Sequence, residues 1–169
     1  MDLQLKVQNP DSNFNLIQCS KKTDVDPDPL SKATHILSSD KFFALNEIKY
    51  DLIFIDGLHT AEQVLKDCEN ALKVLNENGI IVWHDVNPSS EIMQRVPRES
   101  RQWTGDVWKA WVVMRGCKDL EMTAYDIETG LGVMKKGEQD PLLITEDLNY
   151  ENLNKNRKEW LNLKEYDNC

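Results

Sequence analysis

The stretch YDLIFIDGLHTAEQVLKDCENALKVLNENGIIVWHDVNP, Tyr50 to Pro88, decides the fold. Leu52-Ile53-Phe54-Ile55 and Ile80-Ile81-Val82-Trp83 are apolar throughout rather than alternating, which suits strands buried on both faces of a parallel sheet. Between them Val64, Leu65, Cys68, Ala71, Leu72 and Leu75 recur at helical spacing and form one apolar stripe. Thr60, with Gln63 three residues on, predicts a capping box at the helix start. Asn78-Gly79 predicts its end, at a residue that tolerates positive φ. Strand, helix, strand is a βαβ unit, and its crossover is expected to be right-handed.

Working outward, three further short segments read as parallel strands of the same sheet: 3–7, 22–26 and 34–37, with 51–55 central and 80–83 beside it. The alternation of strands and helices predicts a doubly wound α/β sheet. Beyond Pro88 the pattern changes. Residues 89–104 are polar and irregular and carry Arg95, Arg98 and Arg101. Gly105-Asp106 is expected to cap a mostly buried helix containing Val107, Trp108, Trp111, Val112 and Met114. Two strands around Glu128-Thr129-Gly130 predict an antiparallel hairpin at a sheet edge. The tail from Glu146 is charged and helix-prone, with Tyr150, Leu153, Trp160 and Leu161 as its anchors. These readings give one α/β domain over 1–137 and a helical tail, 138–169, packed on it.

The chain has 169 residues, long enough for one domain with a proper core. A formal charge of −9 argues against a nucleic-acid partner, which needs a basic face. Cys19, Cys68, Cys117 and Cys169 are scattered with no CxxC pair, the pattern of free thiols in a reducing compartment. No apolar run approaches the ~18 residues of a membrane span. The N-terminus lacks a basic segment followed by an apolar one, so no secretory signal is read and a cytoplasmic location is the expectation.

In an open parallel sheet, ligands bind beyond the carboxyl ends of the strands. There this sequence places Gln8-Asn9-Pro10, Asp26-Pro27-Asp28, Ser38-Ser39-Asp40, Asp56-Gly57-Leu58-His59 and His84-Asp85-Val86-Asn87. Asp26 is suited to accept ribose hydroxyls, or else it is a turn residue of Asp-Pro-Asp-Pro. Asp40 offers an acceptor beside Phe42 and Phe43, or it is a plain N-cap. Asp56, His59, His84 and Asp85 form a sharper set. Their oxygen and nitrogen donors suit Mg²⁺ or Mn²⁺, with Asp56, His84 and Asp85 as the expected ligands. His59 is alternatively a general base, its ordinary pKa lying near neutrality. The plainer alternative makes His59 a helix start and His84 a packing residue.

At these residues the sequence resembles the class I S-adenosylmethionine-dependent methyltransferases, in the branch that includes small-molecule and sugar O-methyltransferases. IDGxH after one strand and HD after the next, one helix apart, carry the resemblance. VDPDPLSKATHILSSDKFF (Val25–Phe43) and GDVWKAW (Gly105–Trp111) extend it more weakly. It implies a Rossmann-like methyltransferase sheet, mostly parallel with an antiparallel C-terminal hairpin. It also implies a cofactor pocket formed by Gln8, Asp26, Pro27, Ser39, Asp40 and Asp56, with Asp26 on the ribose and Ser39 and Asp40 near the adenine. Catalysis would fall to His59 and Asp56, a metal to Asp56, His84 and Asp85, and the acceptor would be a small molecule.

The first strand departs from the family. Lys6 stands where a glycine lets the backbone approach the cofactor, Asp24 replaces a second glycine, and the cover helices that precede this strand in the family are expected to be missing. Restoring both glycines is therefore expected to raise cofactor affinity. These departures support a competing reading, a catalytically impaired binding module that pairs with a second copy or an intact homologue. A phospho-receiver domain shares the DLIFID strand, but the fifth strand here leads to His84-Asp85-Val86-Asn87 without the Lys that fold needs.

Overall fold

This computed structural model of the chain describes residues 13–166. The expected strand 3–7 and the site residue Gln8 lie outside that range. After a single helical turn, α1 (Asn13–Leu16), come α2 (Ser39–Leu45), β1 (Tyr50–Ile55), α3 (Ala61–Val74) and β2 (Leu75–Trp83). A 3₁₀ turn (Glu91–Gln94) precedes α4 (Val107–Met114), β3 (Leu120–Tyr125), β4 (Leu131–Lys136), α5 (Tyr150–Leu161) and the two-residue β5 (Leu163–Lys164).

The βαβ unit forms as its apolar runs require. β1 and β2 pair in parallel, Leu52 opposite Ile80 through Ile55 opposite Trp83. α3 turns Val64, Cys68 and Ala71 inward, and Ile53, Ile55, Ile81 and Trp83 lie in the same core. Two local expectations are corrected. The helix ends at Val74 rather than at Asn78-Gly79, because Leu75 is already extended and fully buried. Residues 75–80 then bulge against β1, the register passing from Tyr50–Leu75 directly to Leu52–Ile80. Gly79 has no positive φ among the described glycines that do. Its lack of a side chain serves close packing, since a Cβ there would approach Leu75 Cδ1 to 2.7 Å.

The expected capping box is the second correction. The Thr60 hydroxyl makes no cap bond, and Gln63 bonds Ser39, Asp40 and Asp67 instead. The open amide of Ala61 is met from far along the chain, by Asp106 Oδ1 at 2.7 Å. A carboxylate at a helix N-terminus satisfies an orphan donor and opposes the positive end of the helix dipole.

The sheet order is β1-β2-β4-β3-β5. The hairpin of β3 and β4 joins antiparallel to β2, and β5 runs parallel to β3 outside it. The hairpin thus lies one strand in from the edge, because the chain returning from α5 finds the open side of β3. β1 ends the described sheet on the other side, where the expected neighbour 3–7 falls outside the described residues. Segments 22–26 and 34–37 are reduced to one parallel bridge, Val25 with His35. Side-chain bonds hold them together. Buried Asp24 accepts from the Thr34 amide at 2.8 Å and from its hydroxyl at 2.6 Å.

Trp83, Trp108 and Trp111 are fully buried and anchor the far side of the core. α5 covers them with Leu153, Trp160 and Leu161, and Trp111 Nε1 donates to the Leu161 carbonyl at 3.1 Å. Tyr150, the fourth expected anchor, is only partly buried. Among the described residues no helix is long and apolar enough to cross a membrane.

Candidate active site

Because Ile55 pairs with Trp83, the residues that leave the sheet after them emerge side by side. The His84 amide still donates to the Ile55 carbonyl at 3.0 Å, which fixes Asp56 and His84 next to each other. Asp85 takes φ of 64°, a left-handed conformation that costs a non-glycine residue about 1–2 kcal/mol. In that conformation the carboxylate meets both histidines. His59 Nδ1 lies 3.0 Å from Asp85 Oδ2, and His84 Nδ1 lies 3.4 Å from Asp85 Oδ1. Asp56 Oδ1 lies 3.3 Å from both His59 Nε2 and His84 Nδ1.

The cluster is therefore an alternating ring of two carboxylates and two imidazoles, largely shielded from water. Burial alone would lower both histidine pKa values, but the facing carboxylates outweigh it, raising His59 to about 9 and His84 to about 10. Burial would likewise raise Asp56 and Asp85, yet the imidazoles hold both below the usual carboxylate range. His59 Nε2 and His84 Nδ1 are buried without an aligned hydrogen-bond partner. Nitrogens left unsatisfied between carboxylate oxygens fit a cation between them. The donor atoms of Asp56, His59 and Asp85 lie within 4.8 Å of one another; His59 is in this group and the expected ligand His84 is not.

The segment 89–104, which looked merely irregular, folds down over His59. Trp103 stacks on the imidazole with centroids 5.3 Å apart and planes 15° apart, and Arg98 lies over the indole at 5.7 Å. The indole nitrogen donates to the Arg95 carbonyl at 2.7 Å. Gly105 makes this docking possible. Its φ is +57°, and a Cβ there would lie 1.6 Å from the His59 carbonyl oxygen.

Two cavities meet at this stack. The first, about 470 Å³, is lined by Asp26, Pro27, Ser39, Asp40, Gln63 and Asp67, with Gly57, Arg98 and Trp103 also contributing. The second, about 580 Å³, holds Asp56, His84 and Asp85 with Ser89, Gln102, Glu128 and Thr129. His59 and Trp103 line both. The structure thus brings Asp26, Pro27, Ser39 and Asp40 to one cavity, and Asp56 to the other.

The alternatives left open for the rim residues resolve in detail. Asp26 Oδ1 accepts from the Asp28 amide at 2.8 Å, so Asp26 is both a turn residue and a cavity wall. Ser38, not Asp40, caps α2, and the Asp40 carboxylate accepts from Gln63 at 3.0 Å. Asp24 is not among the lining residues. Sequence reasoning missed Gln63, Asp67, Arg98, Trp103, Glu128 and Thr129. Asp67 had a signal: a carboxylate set within the apolar stripe of α3. Burial pushes its pKa up, offset in part by hydrogen bonds with Ser39 and Gln63.

Comparison with known proteins bears on the fold. Residues 17–86 match the family model described as a methyltransferase domain. The SAH-bound methyltransferase of Podospora anserina superposes with a TM-score of 0.60 at 13% identity, covering 81% of this chain and 71% of that one. The O-methyltransferase from Bacillus cereus in complex with SAH gives 0.56 at 12% identity, covering 80% and 73%. A Corynebacterium glutamicum protein, at a TM-score of 0.49, has 62% of its length spanned by this chain. No curated protein matches the chain by sequence.

Proposed function

We propose that this protein transfers the methyl group of S-adenosylmethionine to an oxygen of a small hydroxylated acceptor, such as a sugar, with Mg²⁺ or Mn²⁺ held by Asp56, His59 and Asp85. The observation that carries this is the pair of cavities meeting at His59 and Trp103, one with the acids a nucleoside needs and the other with the paired carboxylates and imidazoles. When bound, the sulfonium supplies an electrophilic methyl and the cation a Lewis acid beside the acceptor hydroxyl.

The residues divide the remaining work. In this reading the second carboxylate oxygen of Asp26 accepts ribose hydroxyls, and Asp40, bonded by Gln63, accepts an exocyclic amine. His59 and Asp56 border the acceptor cavity and are the groups within reach of a hydroxyl proton. Trp103 roofs the junction and keeps water from the path between the cavities. Holding both reactants at one wall supplies orientation, which in well-aligned systems is worth ~7–11 kcal/mol of barrier.

Calorimetric titration with S-adenosylhomocysteine, with and without Mn²⁺, tests the cofactor half of this reading. Transfer of a labelled methyl to a panel of sugars and small alcohols tests the rest. Tight binding with metal-dependent transfer is the expected result. Binding without transfer to any acceptor would favour the impaired binding module, and no binding at millimolar cofactor would refute both.

A further inference from the structure

Resting on that reading of the first cavity, we propose that Arg98 is the partner of the carboxylate on the cofactor's amino-acid moiety, a role no rim residue of the sheet fills among the described residues. The cavity wall carries three acids, Asp26, Asp40 and Asp67. Such a wall suits the hydroxyls, the amines and the positive sulfonium of the ligand, but it repels the carboxylate. Among the described lining residues Arg98 is the only guanidinium or ammonium group. The His59 imidazole is committed to Asp56 and Asp85.

Arg98 is held in a way that leaves it available. Its Nε donates to the Ser100 carbonyl at 2.9 Å and its Nη2 to the Arg101 carbonyl. Its flat face rests on Trp103. These contacts fix the plane of the fork without spending its charge on an acid. Neighbouring Arg95 contrasts with it, paired to Glu91 at 3.2 Å and Glu99 at 2.7 Å. Arg98 has no acidic partner and its Nη1 no hydrogen-bond acceptor among the described residues. A guanidinium with two donors tied back and others free matches a carboxylate arriving at the cavity mouth.

The position also has a chemical logic. Arg98 rides on the same segment that carries Trp103 onto His59, so a carboxylate engaged there would hold that segment over the junction of the two cavities. Arg98 is thus a binding and specificity residue for the amino-acid end of the cofactor.

The test compares S-adenosylmethionine with its decarboxylated form, which differ only in that carboxylate, by equilibrium binding to the full chain. Arg98→Ala is expected to weaken S-adenosylmethionine about tenfold, the size of a charge-assisted hydrogen bond near solvent. The decarboxylated compound should change less than about twofold on the same scale, and Arg98→Lys should fall between. The side chain is exposed, so thermal melting should show the variants folded as the parent. An equal loss for both compounds, or no loss for either, overturns the proposal while leaving the cofactor site standing. If the unaltered protein binds neither compound, the cofactor site itself falls, and the role of Arg98 with it.

Discussion

Replacing Gly105 with alanine should separate the loop that roofs the site from the residue it covers. The backbone there is left-handed, φ +57°, and an alanine in that region costs about 1–2 kcal/mol. The larger effect is steric. The new Cβ would stand 1.6 Å from the His59 carbonyl oxygen and 2.6 Å from its carbon, against a contact distance of ~3.5 Å between non-bonded heavy atoms. Loop and histidine must therefore part by on the order of 2 Å, with overpacking strain of about 1–3 kcal/mol. Together the destabilisation is roughly 2–5 kcal/mol, a large part of the ~5–15 kcal/mol of an ordinary domain. Urea denaturation measures it. Tryptophan fluorescence then locates it, because Trp83, Trp108, Trp111 and Trp160 are buried and Trp103 is only partly so. Acrylamide quenching should rise as Trp103 leaves its stack. A Gly105→Ala protein within ~0.5 kcal/mol of the parent, with unchanged quenching, would refute the account of how this loop docks.

Three further outcomes follow from the site. Asp24→Gly, which restores the glycine of the family the sequence resembles, should cost about 2–4 kcal/mol in thermal or urea unfolding, because it strands the Thr34 amide and adds a flexible residue; improved cofactor affinity in its place would contradict the clasp. Asp85→Asn, tolerated at a left-handed φ, should weaken Mn²⁺ binding at least tenfold, read by the paramagnetic spectrum of the free ion, and should lower stability at pH 7 because it removes the buried carboxylate that faces both imidazoles. Asp67→Asn should stabilise the protein at pH 7. Burial raises the folded pKa of Asp67 above its unfolded value, so its penalty is present above the folded pKa and disappears as pH falls below the unfolded one. The gain from the amide should therefore shrink between urea melts at pH 7 and at pH 4, and a gain constant with pH would rule out this origin.

The βαβ unit was legible because its information is local. Two unbroken apolar runs and a stripe at helical spacing leave few alternatives, and the pairing of Ile55 with Trp83 follows. Errors arose where a distant residue supplied what the local sequence seemed to supply. Thr60 and Gln63 have the spacing of a capping box, but Asp106, 45 residues on, takes the cap. Gly79 has the look of a helix stop, but it is required by the Leu75 side chain. Segments 22–26 and 34–37 are short of apolar residues, and Asp24 bonding Thr34 replaces most of a ladder that Val25 and His35 reduce to one bridge.

The site divides along the same line. Asp56, His84 and Asp85 could be named in advance because a strand's end fixes where its next residue points, whatever the rest of the chain does. Trp103 and Arg98 could not, since a polar segment without periodicity states no position of its own. Its place depends on the stack of Trp103 on His59 and on the absence of a side chain at Gly105 against the His59 backbone, contacts visible only once both ends are folded. Yet this segment decides how the site is partitioned. Without Trp103 over His59, the imidazole would keep its contacts with Asp56 and Asp85 but lose the ring that covers its face. Exposure would relieve the burial that lowers the His59 pKa and screen the carboxylates that raise it. The acids of the candidate site were written in the strand ends, whereas the aromatic cover over His59 is contributed by the loop.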